Sequence, residues 1–159
     1  MKEQRYRNPT PTVDTIIQRD SWILLVKRRN DPFKGYLVLP GGFVNEGERV
    51  EDAAKREVKE ETSLNIELLD ILGVYSDPAR DPRGHMMSTV FIAKISSHND
   101  KVDAVAQDDA AAIEWISLEV IDTRNVGFDH KRIISDYKTW KTSGGTFWSS
   151  KDRDRSKVN

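Results

Sequence analysis

The chain has 159 residues and a mass of 18.2 kDa, enough for one domain with its own core and too short for two comfortable ones. Its 25 basic and 26 acidic side chains nearly cancel to a net charge of -1, which excludes a global field drawing it to nucleic acid, and the absence of cysteine excludes disulfides, thiolate zinc sites and cysteine nucleophiles together. Residues 1–8 are polar, and no apolar stretch approaches the roughly 20 residues that span a bilayer, so a cytoplasmic protein with no signal peptide and no membrane partner is expected.

Residues 12–19 and 22–27 are rich in β-branched and large apolar side chains, and Asp20-Ser21 between them is turn material, which predicts a hairpin. A polar stretch leads into Tyr36-Leu37-Val38-Leu39, a short strand stopped by Pro40-Gly41-Gly42, which reads as a glycine loop. Residues 50–62 contain neither Gly nor Pro and are rich in Ala, Glu, Lys and Arg, so they read as a helix. Residues 64–75 predict a strand or a bent pair of strands and 87–95 another, joined by an unusually long polar loop over 76–85. A further strand is expected over 111–116. A second amphipathic helix starts near Asp129 and carries Ile133, Ile134 and Tyr137. Residues 149–159 are almost entirely polar and read as a frayed tail, leaving 1–148 as a single domain of mixed α and β structure.

The helix over 50–62 carries the functional signal. At about 100° per residue, Val50, Ala53, Ala54 and Val58 fall on one side, and Glu51, Asp52, Lys55 and Lys59 on the other. Glu57 falls in the middle of the apolar side, with Glu61 four residues on and Glu60 at its edge. Ionised carboxylates rarely leave water without partners, so either basic residues such as Arg56 or bound cations must neutralise them. Oxygen ligands converging from one helix face suit magnesium or manganese, whose shells are commonly completed by substrate phosphates. Gly41 and Gly42 allow backbone conformations and close approaches that other residues would not.

Gly42, five residues, Glu48, seven residues, Arg56-Glu57-Val58, one residue, Glu60-Glu61, one residue, Ser63-Leu64: this spacing resembles the Nudix hydrolase signature. The match covers the 23 positions from Gly42 to Leu64 and departs only at Ser63, where the family has glycine. The resemblance implies an α/β/α sandwich around a mixed β-sheet, with a loop–helix–loop unit that binds a divalent metal, Mg2+ or Mn2+. It puts Glu57, Glu60 and Glu61 on the family's metal-binding acids, Glu48 on its first acid and so among the candidate metal ligands, Arg56 on the arginine that orients a neighbouring glutamate, and Gly42 among the candidate substrate-binding residues. It also allows a homodimer. Serine at position 63 puts the helix end under strain, because glycine accepts a left-handed conformation there more readily.

Pro78, fifteen residues beyond Ser63, resembles the downstream proline of the ADP-ribose pyrophosphatases of this family, and the run around it, with Phe128-Asp129-His130 later, extends the likeness. The implied substrate is a small nucleoside diphosphate derivative, ADP-ribose or a relative, cleaved to AMP and ribose 5-phosphate. Arg80 and Arg83 are candidates to grip phosphate or ribose oxygens, or equally to form loop salt bridges. His85 and His130 read as structural or capping histidines, and Phe33 and Tyr36, beside the glycine loop, as core or rim aromatics rather than a stack for the adenine. Asp109, or Asp108, on an acidic run that resembles the family's distant loop, is a candidate general base. Two other readings stay open: a pyrophosphohydrolase of nucleoside triphosphates, oxidised ones included, and a non-catalytic nucleotide-sugar sensor.

Overall fold

The computed structural model describes residues 6–96 and 110–151, so Asp108, Asp109 and the tail from 152 onward lie outside the described residues. Strands β1 (Thr10–Arg19) and β2 (Trp22–Arg28) form the expected hairpin, with Gln18 opposite Ile23 and Arg19 opposite Trp22. The pair then splays apart. The first part of β1 runs parallel to β6 (Met86–Ile95) on one edge, while β2 takes β7 (Ala110–Ser117) and the short β3 (Leu37–Val38) as antiparallel neighbours. Antiparallel to β6 lies β5 (Ile66–Tyr75), one strand with two register shifts rather than two strands.

Two helices cover the mixed sheet, α1 (Val50–Thr62), with the predicted bounds, and α2 (His130–Ser143). Strands covered on both faces have no polar side to show, which is why β1 and β2 read as nearly continuous apolar runs. Ile17, Leu24 and Val26 pack toward Val58 of α1, while Ile16, Ile23 and Leu25 pack toward Ile133, Ile134 and Tyr137 of α2. Each such fully buried aliphatic contributes roughly 1.5–3 kcal/mol over leaving it exposed. This is the α/β/α sandwich around a mixed sheet that the sequence led us to expect. Among the described residues no helix is long and apolar enough to cross a membrane.

One expectation is corrected. The glycine pair does not form a loop: Gly41–Phe43 is a short strand, β4, antiparallel to β1 with Val13 opposite Gly42 and Asp14 opposite Gly41. Of the polar segment from residue 149, residues 149–151 are described. Phe147–Trp148 forms β8, parallel to β5, and the Ser149 hydroxyl accepts the Ser76 and Asp77 amides at 2.8 and 3.1 Å. Composition concealed this because Ser149 satisfies backbone donors of another loop, a partnership that hydropathy does not register.

Candidate active site

Helix α1 projects its acids at β4. Residues 57 and 61 share a face because four residues turn a helix by about 400°, whereas residue 60 lies roughly 60° aside. The structure follows this division: Glu57 is mostly covered, Glu61 lies between buried and exposed, and Glu60 stands at the exposed rim. Glu61 accepts the Gly41 amide at 3.2 Å. The Glu57 carboxylate fills the space where a side chain at residue 42 would stand, since a Cβ on Gly42 would come within 2.4 Å of its carboxyl carbon. Gly42 therefore makes room for the Glu57 side chain of α1.

Arg56 binds these acids together. Its Nε and Nη2 donate to the two oxygens of Glu48 at 2.7 and 2.9 Å, its Nη1 to Glu57 at 2.7 Å and to Glu60 at 3.2 Å, and its Nη2 also to the Phe43 carbonyl at 2.9 Å. A planar guanidinium can hold this fork, whereas an ammonium cannot. The hydrogen bond from Arg56, helped by the Asn45 amide, holds the Glu48 carboxyl down at about 2. Both Glu48 oxygens thus face donors, and Glu48 stands as the counter-ion that aims Arg56. Burial pushes Glu57 the other way, above the usual carboxylate range, against the pull of Arg56 and with Glu60 and Glu48 adding to the rise.

Among the described residues no three acidic or histidine side chains already stand close enough to cage an ion. The donor set still suits a hard cation. Glu57 and Glu61 are oxygen ligands on successive turns of one face, and magnesium is commonly held by one or two carboxylates together with waters and substrate phosphates. Burial of Glu57 against Gly42 disfavours its anion in the absence of a positive charge beyond Arg56, which is the condition a bound divalent ion relieves.

Next to Glu61 and Gly41 lies a small cavity whose floor is a buried polar network. Asp14 of β1 is 8 % exposed and accepts the Ser88 hydroxyl at 2.5 Å. Arg80 makes a two-pronged pair with Asp129 at 2.9 and 2.8 Å and approaches Asp14 at 3.5 Å. Burial alone would lower the pKa of Arg80, but Asp129 and Asp14 outweigh it and raise it. His130 accepts the Leu39 amide on Nδ1 at 3.0 Å, and burial holds its pKa below the usual value, so it is a neutral, structural imidazole as expected. Arg80 resolves toward the salt-bridge reading while still lining the cavity. The more exposed Arg83 is tethered to Asp81 at 3.1 and 2.8 Å and lies 5.6 Å from the rings of both Phe43 and Phe128, a cation at the cavity mouth.

Sequence reasoning brought Arg56, Glu57, Glu60, Glu61 and Glu48 to one place, and the structure holds them there. It missed Asp14, whose signal was an acid inside an otherwise apolar strand, and Phe43, whose ring faces Arg83. His85 donates from Nε2 to the Ser76 carbonyl, 2.9 Å away, on an exposed loop.

A model of the NUDIX domain matches residues 8–137. An ADP-ribose pyrophosphatase from Methanocaldococcus jannaschii is 49 % identical over 140 residues, covering 88 % of this chain and 79 % of that protein. The ADPR responsive transcriptional repressor NtrR of Acinetobacter baylyi is 31 % identical over 135 residues, 81 % of this chain and 53 % of that longer protein. Among solved structures, the NUDIX domain of Shewanella oneidensis NrtR complexed with ADP ribose superposes with a TM-score of 0.71 at 27 % identity, covering 86 % of this chain and 91 % of that one.

Proposed function

Because the chain belongs to the Nudix family, we propose that it hydrolyses the diphosphate of ADP-ribose, or of a close relative, to AMP and ribose 5-phosphate. One observation carries the reading: Glu61, tied to the Gly41 amide and on the same helix face as the Glu57 that Arg56 holds, opens on a cavity with Arg83 at its mouth. Nudix hydrolases depend on a divalent metal, and Glu57, Glu60 and Glu61 are the residues that would hold it here. Magnesium is the ion the oxygen donors suit best, with manganese second. When bound, such an ion neutralises the diphosphate and lowers the pKa of a water so that hydroxide is available near neutrality.

The chain's own residues supply the rest. Arg56 holds Glu57 in one orientation through a bond that Glu48 aims from behind. Gly41 offers its amide to Glu61 and fixes the second carboxylate. Arg83, paired with Asp81 yet exposed, is placed to meet phosphate oxygens as the diphosphate enters, and Arg80 supports that wall through Asp129. Asp109 remains the proposed base for the attacking water. The same reading puts the enzyme in the cytoplasm and allows a homodimer, which light scattering from the purified chain decides.

The test is to incubate the purified protein with ADP-ribose and with a panel of nucleoside triphosphates, with magnesium or with EDTA, and to identify the products by chromatography. Metal-dependent release of AMP and ribose 5-phosphate, with triphosphates much slower, is the expected result. Glu61→Gln, which keeps the helix and removes a charge, should lower turnover on the order of 10³-fold, the equivalent of several kcal/mol of transition-state stabilisation. A sensor would bind ADP-ribose and release nothing.

A further inference from the structure

The cavity beside Glu61 offers about 70 Å³, too little for a whole nucleoside diphosphate sugar. On the other side of Arg80 and Phe128, which line both spaces, a second cleft of about 430 Å³ opens. Small-molecule sites typically measure about 300–1,000 Å³ and combine apolar walls with a few convergent polar groups. The cleft has both. Phe33, Ala79, Pro82 and Phe128 supply the apolar side, and Asp77, Asp129, Arg132 and Ser149 the polar side. Phe33 and Phe128 both adopt positive φ, 61° and 54°, and their rings meet at 4.7 Å, so two strained non-glycine residues are held at one wall. Such strain concentrates where ligands are clamped.

Ser149, beyond α2, completes the cleft. Ser149 spends its lone pairs on the Ser76 and Asp77 amides, and its own hydroxyl proton has no acceptor among the described residues. Arg132 gives its Nε to Asp136 and its Nη2 to the Lys151 carbonyl, and its Nη1 has no acceptor among the described residues either. Two donors are thus unspent on a lining that also carries the carboxylates of Asp77 and Asp129. Each guanidinium there already faces a carboxylate, Arg80 that of Asp129 and Arg132 that of Asp136. A phosphate would meet little uncompensated positive charge. A neutral group bearing adjacent hydroxyls would meet both donors and acceptors.

Resting on the function proposed above, we propose that this cleft holds the ribosyl end of the diphosphate substrate, and that Ser149 forms part of the substrate-binding surface. The diphosphate then lies across the Arg80–Phe128 partition, and a triphosphate is disfavoured because its terminal phosphate would enter a lining whose cations are already paired.

Ala79→Trp tests this, because Ala79 is exposed on the lining and its replacement fills the cleft without removing a buried contact. Inhibition of ADP-ribose hydrolysis by each product is measured in both proteins. The inhibition constant of ribose 5-phosphate and the KM for ADP-ribose should rise about tenfold, the equivalent of about 1.4 kcal/mol, while inhibition by AMP stays unchanged. Ser149→Ala, which removes one hydroxyl, should shift the same two constants in the same direction. Weakened AMP inhibition with ribose 5-phosphate unaffected would overturn the assignment in favour of the adenosine end, and no shift in either would place the cleft outside the substrate site. If the unaltered protein fails to cleave ADP-ribose, the proposed function falls by itself. Calorimetric titration of ribose 5-phosphate into both proteins then still decides what the cleft binds.

Discussion

Ser63 shows how one residue can carry strain without carrying function. It closes α1 with φ 62° and ψ 4°, the left-handed conformation, and its amide reaches back to the Lys59 carbonyl at 2.9 Å. A β-carbon makes that conformation cost about 1 kcal/mol, which glycine avoids. Ser63→Gly should therefore stabilise the fold by about that amount in chemical denaturation, and turnover should stay intact because no site oxygen is touched. A large gain in activity would show that the helix end limits the chemistry. At this scale the sequence was most legible where spacing alone sets geometry. Arg56, Glu57 and Glu61 could be placed from helical periodicity, since each lies within five residues of the others. Asp14 could not, because its partners Ser88, Arg80 and His130 lie more than sixty residues away in the chain.

Among the elements, β4 is the one the sequence misjudged. Proline and two glycines in succession argue against a strand, since glycine has no side chain to pack and proline no amide to donate. What overrides that preference is crowding. A Cβ on Gly41 would lie 2.1 Å from the Val13 carbonyl, and one on Gly42 would strike the Glu57 carboxylate, so this strand can approach β1 and α1 together only without side chains. The two positions should respond differently to alanine. At residue 41 the obstacle is backbone, and Gly41→Ala should lower the melting temperature before anything else. At residue 42 the obstacle is the end of a flexible side chain, so Gly42→Ala should fold, displace Glu57, and reduce kcat on the order of 10²-fold, as a misplacement near 1 Å can. A melting curve and a single rate measurement on each variant separate these outcomes.

For the molecule as a whole, the buried network under the cavity couples β1, β6, the 76–85 loop and the start of α2 through Asp14, with His130 beside it. Desolvation holds the His130 pKa below 6.5, so at acid pH the unfolded chain binds a proton that the folded one resists. The stability this group leaves intact above 6.5 is lost as pH falls below it, at a slope of at most about 1.4 kcal/mol per pH unit for one proton. His130→Asn, which keeps an acceptor for the Leu39 amide, should flatten that loss when stability is followed from pH 7 to 5 by denaturant titration. An unchanged slope would mean that His130 takes up its proton as readily in the folded state as in the unfolded one.

What the sequence determined by itself is local. Apolar runs set β1 and β2, the absence of breakers set α1 from Val50 to Thr62, and helical spacing set which acids share a face. Those interactions act over a few residues and leave a periodic trace. The tertiary structure alone decided that the glycines form a strand, that Arg80 is spent on Asp129, and that Ser149 lines a cleft while the Lys151 carbonyl holds Arg132. Each of these joins residues from distant parts of the chain, and their energies come from close approach and from removing charges and hydrogen-bonding groups from water, conditions that exist only once the layers have packed.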